Sequence, residues 1–227
     1  MGLSILLCLC FGGCVKDYGP PQETVRISFL PEVTITPSRA TMQRGDTLWL
    51  EMNSTDSLLD RTTGKRYRVR PQDFALRSFI VYKRLVGIDK EPVGIAPTFR
   101  LVEKVGNASI SGALSGTFEP VYDGSHYRAR IGLIPTEPGV TAISMQLVWN
   151  GSTRNREGLM PFIQLPRTPQ GVEQIAQFSE SVYVINGGKA NNFDLFSQHT
   201  HAHTLDPKPV ELTVIYQTKS TFTVEVK

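Results

Sequence analysis

The sequence predicts an all-β chain: an antiparallel β-sandwich with extra strands toward the C-terminus and one short helix. Three observations point there. Apolar residues recur at every second position, turn-forming residues punctuate the runs, and helical spacing is nearly absent. The 19 glycines and 15 prolines are numerous enough to supply a turn between every pair of short strands. Many such runs in one chain favour two packed sheets.

Taken in order, Val25, Ile27 and Phe29 alternate with Arg26 and Ser28. Leu48, Leu50 and Met52 share one face of the next clear strand. Tyr127, Ala129, Ile131 and Leu133 face one way while Arg128 and Arg130 face the other, and Ile143, Met145, Leu147 and Trp149 line up in the run that follows. The Pro135-Thr136-Glu137-Pro138-Gly139 stretch between those two runs reads as the turn of a hairpin. The helix is expected over Thr168–Glu180, with Thr168 as its cap, Pro169 in its first turn, and Val172, Ile175 and Ala176 as its apolar stripe. Beyond a Gly187-Gly188 break, strands are expected at Val210–Gln217 and Ser220–Lys227.

The N-terminus carries an address. Residues Leu3 to Phe11 are almost unbroken apolar, and no charge precedes Lys16. A spanning helix needs ~20 apolar residues, so this run has the length of a signal-peptide core instead. It ends in Phe11-Gly12-Gly13-Cys14, which resembles the lipobox of bacterial lipoproteins. That resemblance implies cleavage before Cys14 and a diacylglycerol on its sulfur; the absence of Lys or Arg among the first 13 residues departs from the pattern. The three cysteines are Cys8, Cys10 and Cys14, so cleavage leaves Cys14 alone, with no disulfide, thiolate nucleophile or cysteine metal site. The expected organisation is a signal peptide over 1–13, a lipidated tether over 14–24, a sandwich over 25–150 and a β-rich C-terminal subdomain with the short helix over 151–227. A net charge of +3 is too small to imply a nucleic-acid partner.

Few residues offer chemistry. His199, His201 and His203 alternate, which places three imidazoles on one side of an extended segment, and weak Zn²⁺ binding there is the one cofactor the sequence offers. Next-but-one residues on a strand sit ~6.5–7 Å apart, a poor spacing for three ligands of one ion. Arg66, Arg68 and Arg70 alternate as a basic strand face expected to be solvated. Arg44-Gly45-Asp46 reads as a turn into the Leu48 strand, and Trp49 lies on the face opposite Leu48 and Leu50. No nucleophile elbow, phosphate loop or zincin motif is present, and catalytic residues are assigned to none. Paired carboxylates need no local motif, so a hydrolase stays open.

The stretch ITPSRATMQRGDTLWLEM, together with the Pro-rich turn before Gly139, resembles immunoglobulin-like domains of exported bacterial proteins. The whole pattern of short signal, cysteine, polar tether and β-structure resembles outer-membrane lipoproteins of Bacteroidota. That resemblance implies a cell-envelope location, an immunoglobulin-like sandwich and a membrane contact through Cys14, without fixing the membrane face. Asp56-Ser57-Leu58 resembles the acceptor of protein O-glycosylation in that group, which makes Ser57 the candidate modified residue. The expected role is a non-enzymatic binding or assembly component with a protein or glycan partner. A surface hydrolase using metal or carboxylates, and a fimbria-like structural subunit, are the alternatives.

Overall fold

The computed structural model describes residues 22–74, 76–85, 93–94, 99–111, 115–147, 158–179, 181–199 and 220–227. Among them the chain is nearly all β, arranged as two large sheets face to face with two smaller ones at the side. The six-stranded sheet runs in the order Val121–Tyr122, His126–Pro135, Leu48–Thr55, Glu32–Thr36, Val184–Ile185, with Phe99–Val105 also on His126–Pro135. The eight-stranded sheet runs Asn107–Ser111, Ser115–Glu119, Ser78–Leu85, Gly139–Leu147, Thr221–Val226, Thr41–Met42. Its two remaining strands, Ser181–Val182 and Val93–Gly94, sit on Gly139–Leu147 and Ser78–Leu85.

The alternation seen in the sequence places the core. Leu48, Leu50, Met52, Ile131 and Leu133 from one sheet meet Ile80, Ile143, Met145, Phe222 and Val224 from the other in a single buried cluster. Arg128 and Arg130 point away from it, as the period of two requires. Inside the core the Ser78 hydroxyl donates to the Tyr183 hydroxyl at 2.6 Å, so one of the few buried polar groups is matched by another. Burial pushes the Tyr183 phenol well above its ordinary value.

Four expectations need correction. Pro135 to Gly139 is not a hairpin turn, because His126–Pro135 and Gly139–Leu147 belong to different sheets; the linker carries the chain across the sandwich. Gly139, at φ +135°, and an Arg84 Nη2 hydrogen bond to the Pro138 carbonyl at 2.9 Å shape that crossing. The helix expected over Thr168–Glu180 is instead a turn followed by a strand. Gly171 at φ +79° ends any helical course, and the Thr168 hydroxyl accepts from the Val172 N–H at 3.1 Å. Glu173–Phe178 then forms the middle of a three-stranded sheet between Gln22–Ile27 and Leu159–Gln164. Third, the short α-helix lies at Phe193–Gln198, where Phe193 and Phe196 cover Val140, Ala142 and Leu85.

Fourth, the first strand starts at Gln22, inside the stretch expected as tether, with Gln22, Glu23 and Thr24 paired to Glu173, Gln174 and Ile175. Nor is residue 150 a boundary between sheets. Thr221–Val226 lies within the eight-stranded sheet, flanked by Gly139–Leu147 and Thr41–Met42. Trp149 and residues 210–217 lie outside the described residues. No helix among the described residues is long and apolar enough to cross a membrane.

Candidate functional site

The most unusual feature of the six-stranded sheet is a break in one of its ladders. Glu32–Thr36 pairs with Leu48–Thr55 at Ile35–Leu50, and the same two chain segments meet again at the bridge Phe29–Asp60. Between those two pairs one chain advances six residues and the other ten. The longer chain must therefore arch away from its partner, as in a β-bulge with several extra residues instead of one. Under the arch lies a recess of about 270 Å³.

Two carboxylates fix the arch. Asp60, fully buried, accepts from the Ser28 N–H at 2.7 Å, the Thr63 N–H at 2.8 Å and the Thr63 hydroxyl at 2.6 Å, which ties its far end to the neighbouring strand. At the apex, Asp56 accepts from Arg68 Nε at 2.8 Å and from the Tyr122 hydroxyl at 2.9 Å. The hydrogen bond from Arg68 holds the Asp56 carboxyl below the usual carboxylate range, against the opposing pull of burial. Burial, and then the same carboxylate, push the Tyr122 phenol upward. Behind the apex Asp123 closes a tight turn by accepting from the N–H groups of His126 and Ser125, which lower its carboxyl to about 2.

The recess itself combines an aliphatic floor with a polar rim. Leu30, Leu58, Leu59 and Val184 supply the floor. Glu32, Asn53, Ser54, Thr55, Ser57 and Arg66 supply the rim. Arg66 reaches in to donate to the Ser57 carbonyl at 2.7 Å, which leaves the rest of its guanidinium at the mouth. The Glu32 carboxylate, the Asn53 amide and the Ser57 hydroxyl have no hydrogen-bond or ionic partner among the described residues. Convergent polar groups without internal partners, above an apolar surface, are the common anatomy of a small-ligand site.

The residues singled out in the sequence fare unevenly. Ser57 is half-buried in the short strand Ser57–Leu59, and it lines the recess. The arginine run is not a free cationic face: Arg66 and Arg68 are engaged as above, and Arg70 lies 3.7 Å from Asp73. Arg44-Gly45-Asp46 is a turn, with Gly45 at φ +87° and Asp46 accepting from the Gln43 N–H and paired with Arg39. Trp49 is half-buried on the outer face of its sheet, and the Arg130 guanidinium covers its ring at 4.7 Å. The ring has room because residue 132 is glycine; a Cβ there would sit 2.8 Å from the Thr47 methyl and 3.1 Å from the indole.

His199 closes the helix Phe193–Gln198, its Nδ1–H donating to the Leu195 carbonyl at 2.9 Å. His201 and His203 lie outside the described residues, as does Cys14. Among the described residues no group of three His, Cys, Asp or Glu side chains could hold a metal ion. Ser125 and His126 bring a hydroxyl within 2.8 Å of an imidazole Nδ1, but Asp123 meets the hydroxyl and not the ring, so the three groups close a turn and do not form a relay. Sequence reasoning missed Glu32, Asn53 and Arg66 as neighbours, because the strand register that sets Glu32 opposite Asn53 and the pairing of Arg66 with Leu59 are not written in any local pattern.

No protein-family model matches this chain, and neither does any curated relative. Among solved structures, the human F-spondin reeler domain (fragment 1) is 9% identical with a TM-score of 0.30, covering 75% of this chain and 99% of that one. The Reelin-N domain of F-spondin is 9% identical with a TM-score of 0.31, covering 71% and 92%. A non-cellulosomal cohesin from the archaeon Archaeoglobus fulgidus is 5% identical with a TM-score of 0.21, covering 75% and 98%. At these values the likeness carries no ligand, partner or activity over to this chain.

Proposed function

We propose that this chain is a non-enzymatic binding component of the cell envelope, held to the outer membrane by lipid on Cys14. The recess under the 52–59 arch is its ligand site. The observation that carries the binding half is the recess itself, where a carboxylate, an amide and a hydroxyl converge without internal partners. The anchoring half rests on the apolar run ending in Phe11-Gly12-Gly13-Cys14. The short polar stretch between Cys14 and Gln22 would hold the sandwich close to the bilayer, since an extended chain spans at most ~3.3–3.6 Å per residue.

The test uses whole cells carrying the tagged chain. Membrane fractionation with a fatty-acid probe reads the anchor, and cross-linking from a photoreactive residue placed at Asn53 reads the site. Recovery of the same cross-linked species from Asn53, and of none from the opposite sheet at Ser144, is the expected result. Equal capture from both positions removes the recess from the proposal.

A further inference from the structure

The lining of the recess says what kind of ligand it takes, and this step rests on the binding role proposed above. Its ionisable groups are one carboxylate, Glu32, and one guanidinium, Arg66, so the site favours neither an anion nor a cation. Between them the uncharged polar side chains of Asn53, Ser54, Thr55 and Ser57 offer both donors and acceptors within a few residues of one chain. The Ser54 and Thr55 hydroxyls bond weakly to nearby carbonyls, at 3.3 and 3.5 Å, and have acceptor capacity left. Beneath them the leucines and Val184 form a surface for C–H groups. A volume of about 270 Å³ lies just under the ~300–1,000 Å³ range of drug-sized ligands, which fits one ring better than an extended chain.

We infer that the recess binds one neutral sugar ring, a single residue of a glycan, with its hydroxyls on the Glu32–Asn53–Ser57 rim and its C–H face on the floor of Leu30, Leu59 and Val184. A carboxylate accepts from two neighbouring hydroxyls at once, a planar amide both donates and accepts, and the guanidinium donates to ring and hydroxyl oxygens. A zwitterionic peptide end is the rival ligand, since Glu32 and Arg66 carry the charges to meet an ammonium and a carboxylate. The rim favours the sugar. Most of its hydrogen-bonding groups are uncharged, and a zwitterion would leave them to water.

The experiment is saturation-transfer NMR and calorimetry on the full chain in a detergent without a sugar head group. The probes are the methyl glycosides of glucose, galactose, mannose and xylose, with the dipeptide Ala-Ala alongside. At least one glycoside should bind with a dissociation constant of ~1–10 mM, and Asn53→Ala and Glu32→Ala should each weaken it about tenfold. Thermal melts of both variants should match the parent, because both side chains are exposed. Glycoside binding that ignores both substitutions overturns the inference. Binding of Ala-Ala alone, lost in both variants, leaves the recess as a ligand site and overturns only the sugar. If neither probe class binds, the recess loses its assigned role as well.

Discussion

The Arg68 guanidinium lies 2.8 Å from the Asp56 carboxylate, at the apex of the arch that roofs the recess. Arg68 is the exposed partner and Asp56 the buried one, at 63% and 13% side-chain exposure. Loss of the carboxylate therefore costs more than loss of the cation. Asp56→Ala should destabilise the fold by ~1–3 kcal/mol in urea titrations, since it removes bonds from both Arg68 and Tyr122. Arg68→Ala should cost ~0–1 kcal/mol, in the range of a solvent-screened pair. Equal losses would place the strain elsewhere in the arch. Because the folded-state pKa of Asp56 is depressed, its contribution is present above the ordinary carboxylate range and disappears as pH falls through the folded value.

Leu50, Ile131 and Ile143 are fully buried at the meeting of the two large sheets. Truncation of any one to Ala should cost ~2–4 kcal/mol, from lost transfer energy and the cavity left behind. Arg128 and Arg130 stand on the opposite face of the same strand. Arg128→Ala should cost only ~0–1 kcal/mol, the range of its solvent-exposed pair with Asp123. Denaturation midpoints that move alike for the two groups would mean the strand faces are exchanged.

The strand faces were legible because a period of two is written in the residues themselves: Leu48, Leu50 and Met52 are buried as their spacing demands. Pairing partners were not. Pro135 to Gly139 has the residues of a hairpin turn, yet which sheet the next strand joins is decided by Ile143 and Met145 packing against Phe222 and Ile80, far away in the chain. Val172, Ile175 and Ala176 have helical spacing too, but six residues of parallel pairing with Gln22–Ile27 outweigh a weak local preference. The recess was hidden for the same reason. Glu32 stands opposite Asn53 by continuing the register that pairs Ile35 with Leu50, a pairing no local pattern states, and the four extra residues before Phe29–Asp60 then bring Ser57 to the same recess. Ser57 and Arg66 were picked out beforehand, one on a three-residue pattern and one on strand alternation, and neither pattern says anything of the surroundings.

Asp123 gives a second acid-sensitive contact, and its pH window follows from its bonds. Its carboxyl is lowered to about 2 by the N–H groups of His126 and Ser125, with Arg128 Nε 2.7 Å from its other oxygen. A depressed folded pKa means the contribution is complete above the unfolded value of ~3.9 and lost as pH falls toward about 2. Asp123→Ala should therefore be less stable than the parent at neutral pH, with the gap closing between ~pH 4 and 2. Carboxyl NMR of the parent should show the titration midpoint directly. A gap that is constant over that window would show that the turn gains nothing from the ionised form.

The anchor is the claim on which the cellular setting depends, and it has a simple chemical signature. The apolar run Leu3–Phe11 is about half of the ~20 residues that a spanning helix needs, so on its own it would not retain the chain in a bilayer. A diacylglycerol would, because each buried methylene adds ~0.8 kcal/mol and two chains together hold a protein stably. Cys14 is the first residue after the two glycines that end the run, and residues 15–227 contain no cysteine to receive the lipid in its place. Cys14→Ser should then abolish labelling by a fatty-acid probe and leave a slower-migrating precursor on a gel. Cys8→Ser and Cys10→Ser, which change only the segment to be removed, should label and migrate as the parent does. Soluble release of both the parent and Cys14→Ser, at identical mobility, would sink the lipoprotein and leave the recess to be explained without a membrane.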